Sequence, residues 1–249
     1  MKNSKLEIAP FLSAAVIITL WQALSSFGVV PKFMLPSPID VVNAFISDFW
    51  VLMEHSKVTL SEAFLGLATA IIISFVVAFL MDRFDIIKKS IFPLVILTQT
   101  IPTVAIAPLL VLWFGYDMLP KVILIVTTCF FPITVGLLVG FASADLDVIR
   151  LMKSMGASEN QIFAHVKLPC ALENFFAGLR ISASYAIIGA VISEWLGGFN
   201  GLGVYMIRVK KSYNFDKMFA VIFLVSIISL LLMKFVDYIH KKAMPWENN

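Results

Sequence analysis

Very few side chains in this 249-residue chain have the type and spacing that chemistry needs. Its histidines, His55, His165 and His240, stand apart, with no HExxH pair and no cysteine partner to complete a zinc site or a triad. Cys129 falls inside an apolar run and Cys170 beside a polar segment, so neither a disulfide framework nor a metal site is expected. The glycine spacing Gly198-x4-Gly203 suggests a phosphate-binding loop, but Val204 stands where the lysine belongs. Neither catalysis nor nucleotide hydrolysis is expected of this chain alone. What remains is Glu194, a carboxylate within a predicted span near its outer end, and the group Thr98, Gln99, Thr100 and Thr103 in an otherwise apolar stretch. A carboxylate and uncharged hydrogen-bonding groups at membrane depth are the chemistry of a solute pathway. Each has a plainer reading: Glu194 beside Trp195 at headgroup level, and threonines bonded to their own backbone in a kinked helix.

The elements that must position these groups are helices in lipid. The chain is 60% hydrophobic and 14% charged, with a mean hydropathy of +0.93, far outside the soluble globular norm. Six apolar runs, at about 8–28, 58–81, 90–114, 119–141, 178–197 and 217–239, are long enough to cross a hydrocarbon core of roughly 30 Å. They do not alternate as barrel strands do, so the expected fold is an all-α, polytopic membrane protein of about six transmembrane helices. The first run follows Lys2 and Lys5 and exceeds the usual length of a signal-peptide core, so it reads as a retained anchor.

Lysine and arginine bias sets the topology. With both termini cytoplasmic, Lys2, Lys5, Arg83, Lys88, Lys89, Arg150, Lys153, Lys167, Arg180, Lys234, Lys241 and Lys242 lie inside. Lys32, Lys57, Lys121, Arg208, Lys210, Lys211 and Lys217 lie outside, and the Arg208–Lys217 stretch opposes the rule locally. A net charge of +3, spread along the chain, gives no nucleic-acid surface.

Three segments are more than anchors. Pro93, Pro102 and Pro108 interrupt the third run and free backbone carbonyls, which either line a wet cavity or pack in a kink. Gly178, Ser182, Ala183, Ser184, Ala186, Gly189, Ala190 and Ser193 give the fifth run a small-residue surface suited to close burial in a bundle. Between the fourth and fifth runs lies KSMGASENQIFAHVKLP, Lys153 to Pro169. There a helix over Asp145–Met155 is expected to stop at Gly156, and a second, of about ten residues, to start at a Ser158/Gln161 capping box and end near Pro169. Its Ile162, Phe163 and Val166 suit either docking into a partner's groove or lying in the headgroups.

From Arg150 this spacing resembles the EAA loop of binding-protein-dependent ABC importer permeases: Gly156, nine residues, then Val166-Lys167-Leu168-Pro169. Arg150-Leu151-Met152 replaces the EAA residues themselves. QTIPTVAIAPLLVLWFG and FAGLRISASYAIIGAVISEWLGGFNGLG are similar to the third and fifth helices of the nitrate, taurine and aliphatic-sulfonate type, and the resemblance covers roughly 58–245.

It implies a type I ABC importer-like fold: an N-terminal helix and extracytoplasmic segment over 1–57, and a permease core over 58–245 with a cytoplasmic coupling loop at about 142–177. Gly156, Ala157, Ser158, Glu159, Asn160 and Gln161 would enter a groove of the ATPase, with Leu168 and Pro169 closing the segment. Thr98, Gln99, Thr100, Thr103 and Glu194 are the pathway candidates. The implied partners are a second copy of the permease, a cytoplasmic ATPase dimer that holds the ATP and magnesium, an extracytoplasmic binding protein and membrane lipid. The location is the cell membrane. The run EWLGGFNGLGVYM with KSYNFDKMFA and the terminal MPW looks most like permeases for thiamine-precursor pyrimidines, with sulfonates, taurine, nitrate or riboflavin-like solutes as alternatives. A proton-coupled carrier would show internal repeats and midplane titratable groups, and an enzyme a catalytic cluster; neither is visible.

Overall fold

The computed structural model describes residues 4–28, 30–31 and 34–245, with side chains from residue 12 onward. Lys2, Lys32 and Trp246 of the topology and resemblance arguments lie outside the described residues. The described chain is helical: α1 (Ser4–Ser26), α2 (Pro38–Ser47), α3 (Phe49–Arg83), α4 (Asp85–Thr100), α5 (Thr103–Phe114), α6 (Met118–Ala142), α7 (Leu146–Ser154), α8 (Glu159–Ile162), a π-helical turn (Phe163–Lys167), α9 (Leu168–Gly197), α10 (Leu202–Lys211) and α11 (Phe215–Ala243).

Among the described residues, α3, α6, the continuous run 159–197 and α11 are long and apolar enough to cross a membrane. The α4–α5 pair, bent by 101° at its break, makes a fifth span if counted as one. In α1 the described apolar part, Leu12–Ser26, is shorter than a full crossing.

The core is the packing of α6 on α9, flanked by α3 and α11. Small residues let the α6 and α9 backbones touch: a Cβ on Gly178 would sit 2.3 Å from the Pro132 carbonyl oxygen, and one on Gly140 would sit 2.5 Å from the Ala171 Cα. Of the small-residue set in the fifth run, all but half-buried Ser184 are buried. Polar stitching supplements this contact, with Ser182 Oγ donating to the Cys129 carbonyl (3.0 Å) and Cys129 Sγ donating to the Ser182 carbonyl (3.3 Å). Such bonds specify a register where lipid gives no hydrophobic drive for association.

The polar segment differs from its expected form in one respect. Gly156 does adopt a left-handed φ of +82°, and Ser158 and Gln161 do form a reciprocal capping box. The helix begun there, however, does not stop at Pro169. It passes through the π-helical turn, in which the Leu168 N–H bonds the Phe163 carbonyl, and continues as α9 to Gly197. Proline is tolerated in the first turn of a helix, where its missing N–H needs no partner, and Pro169 stands in the first turn of α9.

Two ion pairs tie this segment to the end of α3, Lys167 to Asp82 (2.9 Å) and Glu159 to Arg83 (3.3 Å), and Lys153 to Glu159 (2.9 Å) joins α7 to α8 within it. The opposite end of the molecule gathers α2, the start of α3 and α10. There Asp48 accepts from Lys217 Nζ at 2.8 and 2.9 Å and from the Tyr205 hydroxyl. Helix α3 runs unbroken across position 57/58, where the sequence suggests a division.

Candidate functional site

The break between α4 and α5 shapes a groove of about 290 Å³ against α6 and α9. Ile101 and Pro102 are extended there, so the backbone turns and its side chains fan around an opening. Thr98, Gln99 and Thr103 line it from the broken span, Thr128 from α6, and Tyr185, Gly189 and Ile192 from α9. Among the described residues, no charged side chain lines this groove. Thr98 donates to the Val95 carbonyl at 2.7 Å, and Thr100, which lies outside the groove, donates to Leu97 at 2.9 Å. Gln99 is exposed, and no hydrogen bond within the described residues uses its amide. The groove thus offers one uncommitted amide, hydroxyls and an aromatic face. That set suits a flat, uncharged, hydrogen-bonding solute.

Glu194 is elsewhere. It is only 1% exposed, accepts from Thr59 Oγ1 (2.6 Å) and the Gly203 N–H (2.6 Å), and does not line the groove with the threonines. It also has company that the sequence did not announce. Glu62 of α3, likewise 1% exposed, takes a 2.5 Å bond from Lys121 Nζ of α6. Lys121 looks like an external topology charge in the sequence but is buried here. Glu62 sits four residues into its predicted span, and the signal that identifies it is its place on the same helical face as Thr59, Ala63 and Gly66, all of them buried.

At the far end, Ala157, Ser158, Glu159, Asn160 and Gln161 follow the Gly156 turn, and Ser158, Glu159, Asn160 and Gln161 are exposed or half-exposed on the outer side of the α7–α8 corner. Leu168 and Pro169 stand at the entry to α9. The candidates therefore occupy separate regions: the polar corner at one end, Thr98, Gln99 and Thr103 in the groove beside the broken span, and Glu194 apart from both.

A family model described as binding-protein-dependent transport system inner membrane component matches residues 64–244. Over 247 residues the chain is 33% identical to the formylaminopyrimidine transport permease protein ThiX of Halalkalibacterium halodurans, covering 99% of this chain and 98% of that one. It is 28% identical over 240 residues to the putative aliphatic sulfonates transport permease protein SsuC of Bacillus subtilis, covering 96% and 87%. Among solved structures, an inward-facing MetNI methionine ABC transporter aligns with a TM-score of 0.69 at 19% identity, covering 78% of this chain and 96% of that one. This last likeness concerns the fold.

Proposed function

This chain belongs to the binding-protein-dependent transport system inner membrane components, the translocation subunits of ABC importers, and we propose that its solute is a small uncharged pyrimidine of the thiamine-precursor class. The observation that carries this reading is the groove at the α4–α5 break. It presents the free Gln99 amide beside Tyr185 and the Thr103 hydroxyl, and among the described residues no cation lines it to neutralise a sulfonate or nitrate. An amide can pair with the ring nitrogen and amino edge of a pyrimidine while an aromatic ring covers its face. The similarity to a formylaminopyrimidine permease supports the same class.

In this reading six helices cross the membrane, α1 first, and both termini are cytoplasmic. The end that carries Arg83, Lys153 and Lys167 faces the cytoplasm in keeping with positive-inside bias. There the α7–α8 corner, from Gly156 to Gln161, enters an ATPase subunit that holds ATP and magnesium. A second copy of this chain completes the pathway, and an extracytoplasmic binding protein delivers solute to the α2/α10 end. Closure of the ATPase pair moves the corner, and the groove changes the side on which it opens.

The test is uptake of labelled formylaminopyrimidine into proteoliposomes that hold the permease with its ATPase, driven by a loaded binding protein. ATP-dependent uptake, competed by related aminopyrimidines and not by taurine, is expected. Uptake of taurine with no response to the pyrimidine would replace this solute class with the sulfonates.

A further inference from the structure

We propose that His55, Thr59 and Glu194 form a clasp that delivers motion from the α7–α8 corner to α10, making them positioning residues for transport although none of them lines the solute groove. The proposal rests on the ATP-driven reading above and adds the point at which the stroke leaves the lever. The run that begins at Glu159 is continuously helical to Gly197, so Glu159 and Glu194 mark the two ends of a rod about 50 Å long. At the first end Glu159 is tied to Arg83 and Lys153. At the second, Glu194 takes hold of another element.

That element is the N-terminus of α10, whose leading N–H groups have no partner within their own helix. Three consecutive ones are taken by side chains from other helices. The Gly201 N–H donates to His55 Nδ1 (2.9 Å), the Leu202 N–H to Thr59 Oγ1 (2.9 Å) and the Gly203 N–H to Glu194 (2.6 Å). Thr59 in turn donates to Glu194 at 2.6 Å, joining α3 to α9 within the same cluster.

The fit leaves no slack. Gly201 has a φ of +126°, and a Cβ there would lie 2.2 Å from the Glu194 carboxyl carbon. The Glu62–Lys121 pair fastens α3 to α6 alongside. An N-cap usually comes from the residue just before a helix. Here two other helices supply it, α3 through His55 and Thr59 at 146 and 143 positions' separation and the preceding α9 through Glu194 at nine, so a shift of α10 against either helix breaks bonds at its N-terminus.

The experiment uses the full permease–ATPase complex in nanodiscs, with spin labels at Leu112 on α5 and Lys210 on α10, both of them exposed. The distance between them is measured before and after ATP–magnesium addition. In the wild type, ATP should shift it. Thr59→Val, which removes the hydroxyl at nearly constant volume, should reduce the shift by roughly half or more while a label pair at the corner still responds. Thr59→Ser, which restores the hydroxyl, should recover it. Equal shifts in wild type and Thr59→Val would overturn the clasp, as would a wild-type α10 label that ignores ATP, and either result would leave the importer reading intact. If Thr59→Val does not assemble, Glu194→Gln, which keeps an acceptor but loses the charge, stands in for it under the same criterion. A chain that recruits no ATPase at all would remove the underlying reading instead.

Discussion

Replacing Lys121 with methionine isolates the energetics of the buried polar cluster. In the native chain Lys121 Nζ lies 2.5 Å from Glu62 Oε1, and the two side chains are 9% and 2% exposed. At an effective dielectric of about 20 the attraction at that distance is about 7 kcal/mol. Desolvating each ion costs several kcal/mol, so the pair as a whole contributes little net stability. Removing one partner is different. Glu62 is then a buried carboxylate with no counter-ion and Glu194 as its electrostatic neighbour, which should cost about 3–5 kcal/mol. For a chain of this size that corresponds to a drop of about 10 °C or more in thermal midpoint, followed by fluorescence or ligand-free scanning in nanodiscs. The double variant Glu62→Gln with Lys121→Met removes both charges and should regain most of the loss. A single variant within about 1 kcal/mol of wild type, or a double variant as unstable as the sum of its parts, would refute the argument that the charges are sealed from water and compensate each other.

Three further outcomes are expected. Gly156→Val meets nothing within 4 Å, so its cost is the left-handed backbone alone, about 1–2 kcal/mol for a β-branched residue; ATPase recruitment and uptake should fall while membrane insertion is normal, and Gly156→Asn should be milder. Gln99→Ala should raise the solute concentration needed for half-maximal uptake with little change in ATPase recruitment, as read from initial rates, because Gln99 touches the groove and not the lever. Burial alone would push the Asp48 carboxyl up, but hydrogen bonds from Lys217, Tyr205 and Ser47 outweigh it and hold it below the usual carboxylate range. Its stabilisation is therefore present at neutral pH and lost as pH falls through and below about 4; Asp48→Asn should be less stable at neutral pH and lack that acid-dependent step in thermal midpoints measured against pH.

What the sequence disclosed and what it hid follow from the range of the interactions. The Gly156 turn and the Ser158/Gln161 box involve neighbours within a few residues, so residue type and spacing alone define them. The small-residue surface of α9 is equally local and marks the helix that packs most closely. Pro169 misleads because proline both ends helices and begins them, and only the π-helical turn before it decides which. Of the clasp only Glu194 was visible, as a carboxylate within a span, and its partners on α3 were not. Thr59 and Glu194 are 135 positions apart, and Thr59 and Leu202 are 143 apart. Lys121 was hidden for a related reason: a lysine at the edge of an apolar run looks like a headgroup anchor until a carboxylate on another helix is found beside it. The groove at the α4–α5 break was half legible, since Thr98, Gln99 and Thr103 stand together in sequence while Tyr185 and Thr128 reach it only through the bundle.

The most direct test of the central claim, that this permease moves solute only when a separate motor pushes it, is formylaminopyrimidine uptake by proteoliposomes prepared with and without the partner ATPase. Accumulation is expected only when the ATPase, ATP and the binding protein are all present, and none with the permease alone under an imposed proton or sodium gradient. Gradient-driven accumulation by the purified chain would contradict it.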